Sequence, residues 1–341
     1  MILKNFWYVA ASSVEVNSTP LARTICEIPV VMFRTGAGAP AALRDMCSHR
    51  RAPLSKGRML GDNIECPYHG LQFDPVGRCV KIPSQEEIPR KAHICSYPVV
   101  ERWGVVWIWM GDPDLADPAG IPHKPWRADP AWNSENVHYF HIKASHLLMT
   151  DNLLDLLHVS WVHVNTIGFA ADAVREDPLV TEVSECMVRN TRVIRNIEPA
   201  AALRSWGDFA GRVDRTSVSD WTPPCFTAIH FLNRDPVTTI EFRLDHLITP
   251  ETARSHHYWL LVSRNFRIDD EELTRKVFED NSRVAAEDMD IVEAQQRMID
   301  LSPASVDMPL RQDRGLVAAH RILDRLAKQE KQKRNAMPDK P

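Results

Sequence analysis

Two short segments carry residues whose types and spacing suit metal chemistry. Cys47-Ser48-His49 is followed, after sixteen residues, by Cys66-Pro67-Tyr68-His69-Gly70. Each supplies one thiolate and one imidazole on a tight loop, and Pro53, Gly57, Pro67 and Gly70 suit stiff turns whose backbone N–H groups can point at sulfur. A two-iron, two-sulfur cluster held by two cysteines on one iron and two histidines on the other needs that supply. Neutral imidazoles in place of two thiolates remove negative charge, so such a cluster is easier to reduce than an all-cysteine one. A zinc ion is the competing occupant, and core cysteines beside chance histidines are the plain alternative. Zinc sites, however, usually pair their ligands as C-x₂₋₄-C or H-x₃₋₅-H, not as C-x-H with C-x₂-H. Cys26, Cys79, Cys95, Cys186 and Cys225 have no partner at ligand spacing and read as buried small hydrophobes.

The second segment runs Asp151-Asn152-Leu153-Leu154-Asp155-Leu156-Leu157-His158 and on to His163. At about 100° per residue, positions 151, 155 and 158 share a helical face, which makes Asp155 and His158 neighbours. His163 misses that face unless the helix bends or ends between them. Two histidines plus one carboxylate, with positions left open, is the ligand set of non-haem iron(II) oxygenases, and the open positions are where O₂ binds beside the substrate. By itself H-x₄-H is a weak pattern, and a histidine on a leucine-rich helix is more often a satisfied core residue. The carboxylate must come from elsewhere. Leu273, Val277, Val284, Ile291 and Val292 form a stripe at helical spacing, and Asp288 lies within it. A buried carboxylate is costly unless it meets a cation, either a metal or an arginine such as Arg283. Glu287 competes for the role, and periodicity favours Asp288.

The elements that must position these groups are legible in outline. The first third reads as β-structure, with apolar stretches such as Ile28 to Phe33 and Val105 to Met110 separated by turn residues. A proline-studded stretch from Gly111 to Pro130 marks a linker. Thr150 to His163 reads as helical, strand-like alternation returns from about Val174 to Phe266, and Asp269-Asp270 cap a long helix to about Ile299. The predicted division is 1–112, 113–327 and a charged tail, 328–341, expected to fray. With 341 residues, 44% hydrophobic and 25% charged, the chain suits about two globular domains. A net charge of −4 offers no basic field for nucleic acid. No apolar run approaches the ~20 residues that cross a bilayer, and no export signal is evident. Seven cysteines without a secretion signal point to the reducing cytoplasm.

Taken together, these residues resemble the Rieske non-haem iron aromatic-ring oxygenases, in particular oxygenase subunits such as those of vanillate O-demethylase, dicamba O-demethylase and toluenesulfonate methyl-monooxygenase. The resemblance also rests on Asn5-Phe6-Trp7-Tyr8-Val9-Ala10, Tyr97 to Arg102, Val106 to Pro113, His246 to Thr252, Arg264-Asn265-Phe266 and Glu287-Asp288. It implies an α+β chain: an N-terminal all-β Rieske [2Fe-2S] domain, then a helix-grip-like catalytic domain of antiparallel sheet plus helices. It implies that Cys47, His49, Cys66 and His69 hold the cluster, and that His158, His163 and Asp288 hold Fe(II). Asp155 is then the bridge between a cluster histidine of one subunit and an iron histidine of the next in a homotrimer, with Asn152 supporting the iron site. Electrons come from NADH through a separate flavin and [2Fe-2S] reductase. The implied function is a monooxygenase that O-demethylates a methoxylated, vanillate-like aromatic acid and releases formaldehyde. Hydroxylation of a methyl or ring position, or N-demethylation, is the alternative.

Where such proteins commonly carry Asn-Tyr/Trp-Lys before the iron helix, this chain has Ser145-His146-Leu147. The ligands are untouched, but the groups that orient them differ; His146 reads as a packing or supporting residue. His246 and His230, with Asn233 and Trp259, are candidates to hold the substrate, His246 lying in a family-like segment. Two other classes compete. A Rieske electron carrier needs only the first ~110 residues, a domain-sized share, and a zinc-stapled binding protein would be colourless. The substrate, the anchor for its acid group and the reductase partner are not written in the sequence.

Overall fold

In the first third, turn chemistry sets the strands. Cys26-Glu27 (φ 51° and 67°) and Trp103-Gly104 (φ 64° and 79°) each close a two-residue hairpin with positive φ at both positions. That mirror-image turn matches the twist of paired strands. The first joins Leu21–Ile25 to Ile28–Arg34, and the second joins Val99–Arg102 to Val105–Trp109. The computed structural model describes residues 2–169 and 179–336, and these fall into two compact units.

The first unit is residues 2–123 with 249–252. It holds one three-stranded and two four-stranded antiparallel sheets, and among the described residues it contains no α-helix. Val31, Phe33, Leu43, Ile64 and Phe73 form its core around Cys47 and Cys66. The unit runs past the expected boundary at 112/113 to His123. The reason is tryptophan anchoring of the proline-rich stretch: Trp7 Nε1 donates to the Asp117 carbonyl at 2.7 Å and Trp103 Nε1 to the Pro122 carbonyl at 3.2 Å. What reads as a linker is therefore packed.

The second unit carries a seven-stranded sheet. Its strands Val180–Val183, Val188–Ile197, Val213–Thr222, Phe226–Arg234, Thr239–Thr252 and Ser255–Arg264 follow one another as a meander, and Val137–Ile142 pairs antiparallel on the far edge with Ser255–Arg264. Residues 174–178, where strand-like alternation was expected to begin, lie outside the described residues. The helix His146–Leu154 lies on one face of this sheet: Ser219 Oγ donates to the Leu153 carbonyl (2.9 Å) and Asn190 Nδ2 to the Leu154 carbonyl (2.8 Å).

The long helix spans Glu271–Leu301. Asp270 caps it by accepting from the Leu273 N–H at 2.9 Å, and Glu271 and Glu272 sit in its first turn, where the helix dipole favours negative charge. Its buried face runs through Leu273, Val277, Asn281, Ala285, Asp288 and Val292. Ile291, expected in the stripe, is 41% exposed, so the stripe is rotated, and Asp288 lies on the buried face between Ala285 and Val292. A last helix, Arg314–Ala336, contradicts the frayed tail from Lys328. Lys, Gln, Glu and Arg are strong helix formers, and they extend a helix anchored by Ala319, Ile322 and Leu323. Residues 337–341 of that tail lie outside the described residues. Among the described residues no helix is long and apolar enough to cross a membrane.

Candidate metal centres

In the first unit each cysteine-and-histidine loop closes on its own cysteine. The Cys47 N–H donates to Ala52 O (2.9 Å) and the Arg51 N–H to Cys47 O (2.9 Å); the Cys66 N–H donates to Leu71 O (2.8 Å) and the Gly70 N–H to Cys66 O (3.1 Å). Gly70 has φ +71°, and a Cβ there would stand 2.9 Å from Pro83 Cγ, so the turn requires glycine. Cys47 and Cys66 are each 2% exposed, whereas His49 and His69 face outward with their Nδ1 atoms 3.2 Å apart. Burial pushes the Cys47 thiol up to about 11, the backbone N–H groups of His49 and Arg50 pull against this, and the Cys66 thiol alongside adds to it.

The four donors form two pairs rather than one set. Donors around a single zinc ion stand about 3.5 Å apart, given metal–ligand bonds of 2.0–2.3 Å. Among the described residues, the one group of three or more metal-binding side chains gathered that closely is elsewhere, at His158, His163 and Asp288. A thiol pair inside and an imidazole pair outside suits two irons, one to each pair. Of the other cysteines, Cys95 and Cys186 are exposed, contrary to expectation, whereas Cys26, Cys79 and Cys225 are buried. Cys186 lies in the exposed bend between two strands, where no core reaches it.

The second centre depends on a broken helix. Rather than one helix from 150 to 163, His146–Leu154 stops at Asp155, whose φ −87° and ψ 98° leave the helical region. A separate turn, Val159–Val162, follows, with His158 at its N-cap and His163 at its C-cap. The break brings both rings to one side, with centroids 5.2 Å apart. His158 Nε2 lies 3.5 Å and His163 Nε2 3.2 Å from the same Asp288 oxygen, Oδ1. Each Nδ1 already has an acceptor: the Asp155 carbonyl for His158, and Glu287 Oε2 at 2.7 Å for His163. Those bonds set the tautomer that leaves both Nε2 lone pairs free for an ion. Asn152 Nδ2 donates to Asp288 Oδ1 at 2.9 Å, and Thr166 Oγ1 to Glu287 Oε2 at 2.8 Å.

The electrostatics agree with this donor set. Burial pushes the Asp288 carboxyl up, but His158 and His163 beside it outweigh burial and hold it well below the usual carboxylate range. Burial likewise lowers His163, and Asp288 and Glu287 more than reverse that. Two imidazoles and one carboxylate converge here, and a divalent ion would relieve the burial of all three. Glu287, the sequence competitor for ligand, stands behind His163 instead. Arg283 pairs with Asp280 at 2.5 Å and not with Asp288. Asp155 Oδ1 accepts from the Leu157 N–H (2.7 Å), and its Oδ2 is 3.9 Å from His158 Nδ1. His146 is buried at the start of its helix and is not one of the three gathered donors.

Strand parity sorts the four substrate candidates. Successive side chains alternate faces. His246 pairs across the sheet with Thr227, and Asn233 lies an even number of residues from Thr227, so these three share a face. His230 lies an odd number away and points to the opposite face, its Nε2 2.8 Å from Glu241 Oε1. His246 Nδ1 meets Tyr258 Oη at 2.6 Å while its Nε2 has no partner among the described residues. Burial pushes its imidazole down to about 3, the Asp288 carboxylate pulling weakly the other way, so the ring is neutral. Trp259, next to Tyr258 in the strand, faces the other side, against Tyr139. Of the four candidates, His246 and Asn233 thus share one face of the sheet, whereas His230 and Trp259 lie on the other, a division that periodicity alone does not show.

A family model described as "Vanillate O-demethylase oxygenase C-terminal domain" matches residues 142–329, and one described as "Rieske [2Fe-2S] domain" matches residues 6–98. The toluene-4-sulfonate monooxygenase system iron-sulfur subunit TsaM1 of Comamonas testosteroni is 37% identical over 97% of this chain and 98% of that protein. A vanillate O-demethylase oxygenase subunit from a Pseudomonas strain is 35% identical over 98% of each chain. The crystal structure of dicamba monooxygenase bound to 3,6-dichlorosalicylic acid superposes with a TM-score of 0.90 at 34% identity, covering 96% of this chain and 98% of that one.

Proposed function

Because this chain belongs to the Rieske non-haem iron oxygenases, in the group that shares the vanillate O-demethylase catalytic domain, we propose that it O-demethylates a methoxylated aromatic acid. It is the oxygenase component, with a [2Fe-2S] cluster and a ferrous ion as cofactors. Cys47, Cys66, His49 and His69 are the proposed cluster ligands, and His158, His163 and Asp288 the proposed iron ligands. When bound, the cluster supplies single electrons and the iron supplies a place to activate O₂ beside the substrate. The observation that carries the reading is the pair of histidines whose Nδ1 atoms are both engaged and whose Nε2 atoms share one Asp288 oxygen.

The chain's own residues hold and orient. Glu287 and the Asp155 carbonyl fix the Nδ1–H tautomer of the proposed iron histidines and so orient each Nε2 toward the ion. Asn152 steadies Asp288. His246, neutral and buried with a free Nε2, offers one hydrogen bond to a polar group of the substrate. In the net reaction O₂ takes up two electrons and two protons. One oxygen atom enters a methyl C–H bond and the other leaves as water; the hemiacetal then releases formaldehyde and leaves a phenol. The toluene-4-sulfonate monooxygenase similarity supports a second reading, hydroxylation of a ring methyl. Both attack a methyl C–H, and only the ether oxygen makes the product fall apart.

The proposal includes a separate reductase that draws on NADH, a homotrimer in which Asp155 carries electrons between the cluster of one subunit and the iron of the next, and a cytoplasmic setting. The relatives' names, as oxygenase components of multicomponent systems, support the reductase. The test uses the metal-loaded protein with a generic NADH reductase and is run with 4-methoxybenzoate, vanillate and toluene-4-sulfonate. Stoichiometric formaldehyde from a methoxy acid is expected. Benzylic alcohol from the sulfonate without formaldehyde from any methoxy acid would favour the second reading, and NADH use without any oxidised product would defeat both.

A further inference from the structure

The sheet face that carries His246 also holds a buried cation with no acid beside it among the described residues. Arg215, in strand Val213–Thr222, is 2% exposed. Alternation places it on the side of Ser219, whose hydroxyl meets the helix that precedes the iron histidines. One guanidinium nitrogen, Nη1, donates to the Ile167 carbonyl at 2.8 Å, just past His163, while Nε has no partner among the described residues. The guanidinium lies 4.8 Å from the Phe231 ring centroid and 5.6 Å from that of Phe169. Burial, with no carboxylate among the described residues to offset it, pushes Arg215 down to about 10.

Directly across the strand pair stands Asn233. It is 0% exposed, and among the described residues neither its amide oxygen nor its amide nitrogen has a partner. A buried guanidinium without an anion is costly, and so is a buried amide without hydrogen bonds. Two such groups side by side, near the iron histidines, make sense if a ligand completes both. An arginine fork matches the paired oxygens of a carboxylate and equally those of a sulfonate.

We propose that Arg215 and Asn233 together bind the acid group of the aromatic substrate and thereby select anionic substrates over neutral ones. This rests on the reading of the chain as an aromatic-acid oxygenase and names the anchor that the reading lacks. Arg215 is a binding residue here, with no part in the bond-making steps.

The test separates the anchor from the reaction by using ligands that cannot be demethylated. Metal-loaded protein is titrated calorimetrically with benzoate, benzenesulfonate and neutral benzamide. In Arg215→Met, affinity for the anions should fall roughly tenfold to hundredfold, the range for a lost charge-assisted hydrogen bond. Benzamide affinity, iron content and melting temperature should not change. Arg215→Lys should restore part of the anion affinity, and Asn233→Leu should weaken it. The preference between benzoate and benzenesulfonate in the unaltered protein identifies the acid. Equal anion affinity in the unaltered protein and Arg215→Met would overturn the proposal. So would a joint loss of iron, melting temperature and benzamide binding, which would mark Arg215 as a clamp on the Ile167 carbonyl. If anions bind through Arg215 yet no methoxy acid yields formaldehyde, the anchor stands and the demethylation reading fails. Formaldehyde release that is indifferent to Arg215→Met fails the anchor alone.

Discussion

At the scale of single residues, two adjacent carboxylates on one helix are set to different tasks by where they point. Asp288 meets both Nε2 atoms, whereas Glu287, turned aside by one helical step, meets His163 at Nδ1. Removing a proposed ligand and removing its support should therefore differ in kind. In His158→Ala the iron count should fall by about one atom per chain while the two-iron cluster keeps its colour; full retention of iron would contradict the ligand assignment. Glu287→Gln should keep the ion in saturating Fe(II) but weaken its binding roughly tenfold to hundredfold, as the loss of such a supporting hydrogen bond does. An Fe(II) titration of metal-depleted protein reads both. Asp288 was legible from helical spacing because burial of a charge is itself a signal. Glu287 was not, because its task depends on a ring contributed by another element.

At the scale of elements, the break at Asp155 does what an unbroken helix could not, since His158 and His163 are five residues apart on the chain and would face different ways. Packing of the sheet against the long helix has a cost that appears with pH. His138, stacked on Phe278 at 4.0 Å, and His256, bonded to the Ala144 carbonyl, are both pushed down to about 4 by burial, and His246 to about 3. Each is neutral when folded and has an ordinary value near 6.5 when unfolded. Because the folded value is the lower one, the unfolded chain takes up protons first. Stability is therefore full above about 6.5 and lost as pH falls from there toward 4, by about 2 kcal/mol per ring at pH 5. Melting temperature followed from pH 8 to 5 should fall steeply below 6.5, and His138→Phe, which keeps the stack on Phe278, should flatten that slope. An unchanged slope would mean the ring is not buried neutral.

At the scale of the whole molecule, an electron carrier has no use for the second unit. That unit matches a catalytic domain and holds the histidine and carboxylate group. In the proposed trimer the cluster of one chain serves the iron of the next, so two defects on different chains should complement. His158→Ala and Cys66→Ser chains, each inactive alone, should regain part of the activity when co-expressed, as measured by formaldehyde release. Demonstrated mixed oligomers without activity would argue for electron transfer within one chain. The expected boundary at 112/113 failed at this scale because tryptophan hydrogen bonds tie a proline-rich stretch to the first unit, and such distant partners leave no local signal.

Local chemistry belongs to the sequence. The C-x-H and C-x₂-H loops, the H-x₄-H segment and the buried aspartate could be picked out as candidate ligands because residue type and close spacing are properties of neighbouring residues. Only the tertiary structure decided which sheet face meets the iron site. It put His246, Asn233 and Arg215 on that face and turned His230 away. Strand pairing joins residues far apart in the chain, and a shift of one residue in register would have exchanged the two faces.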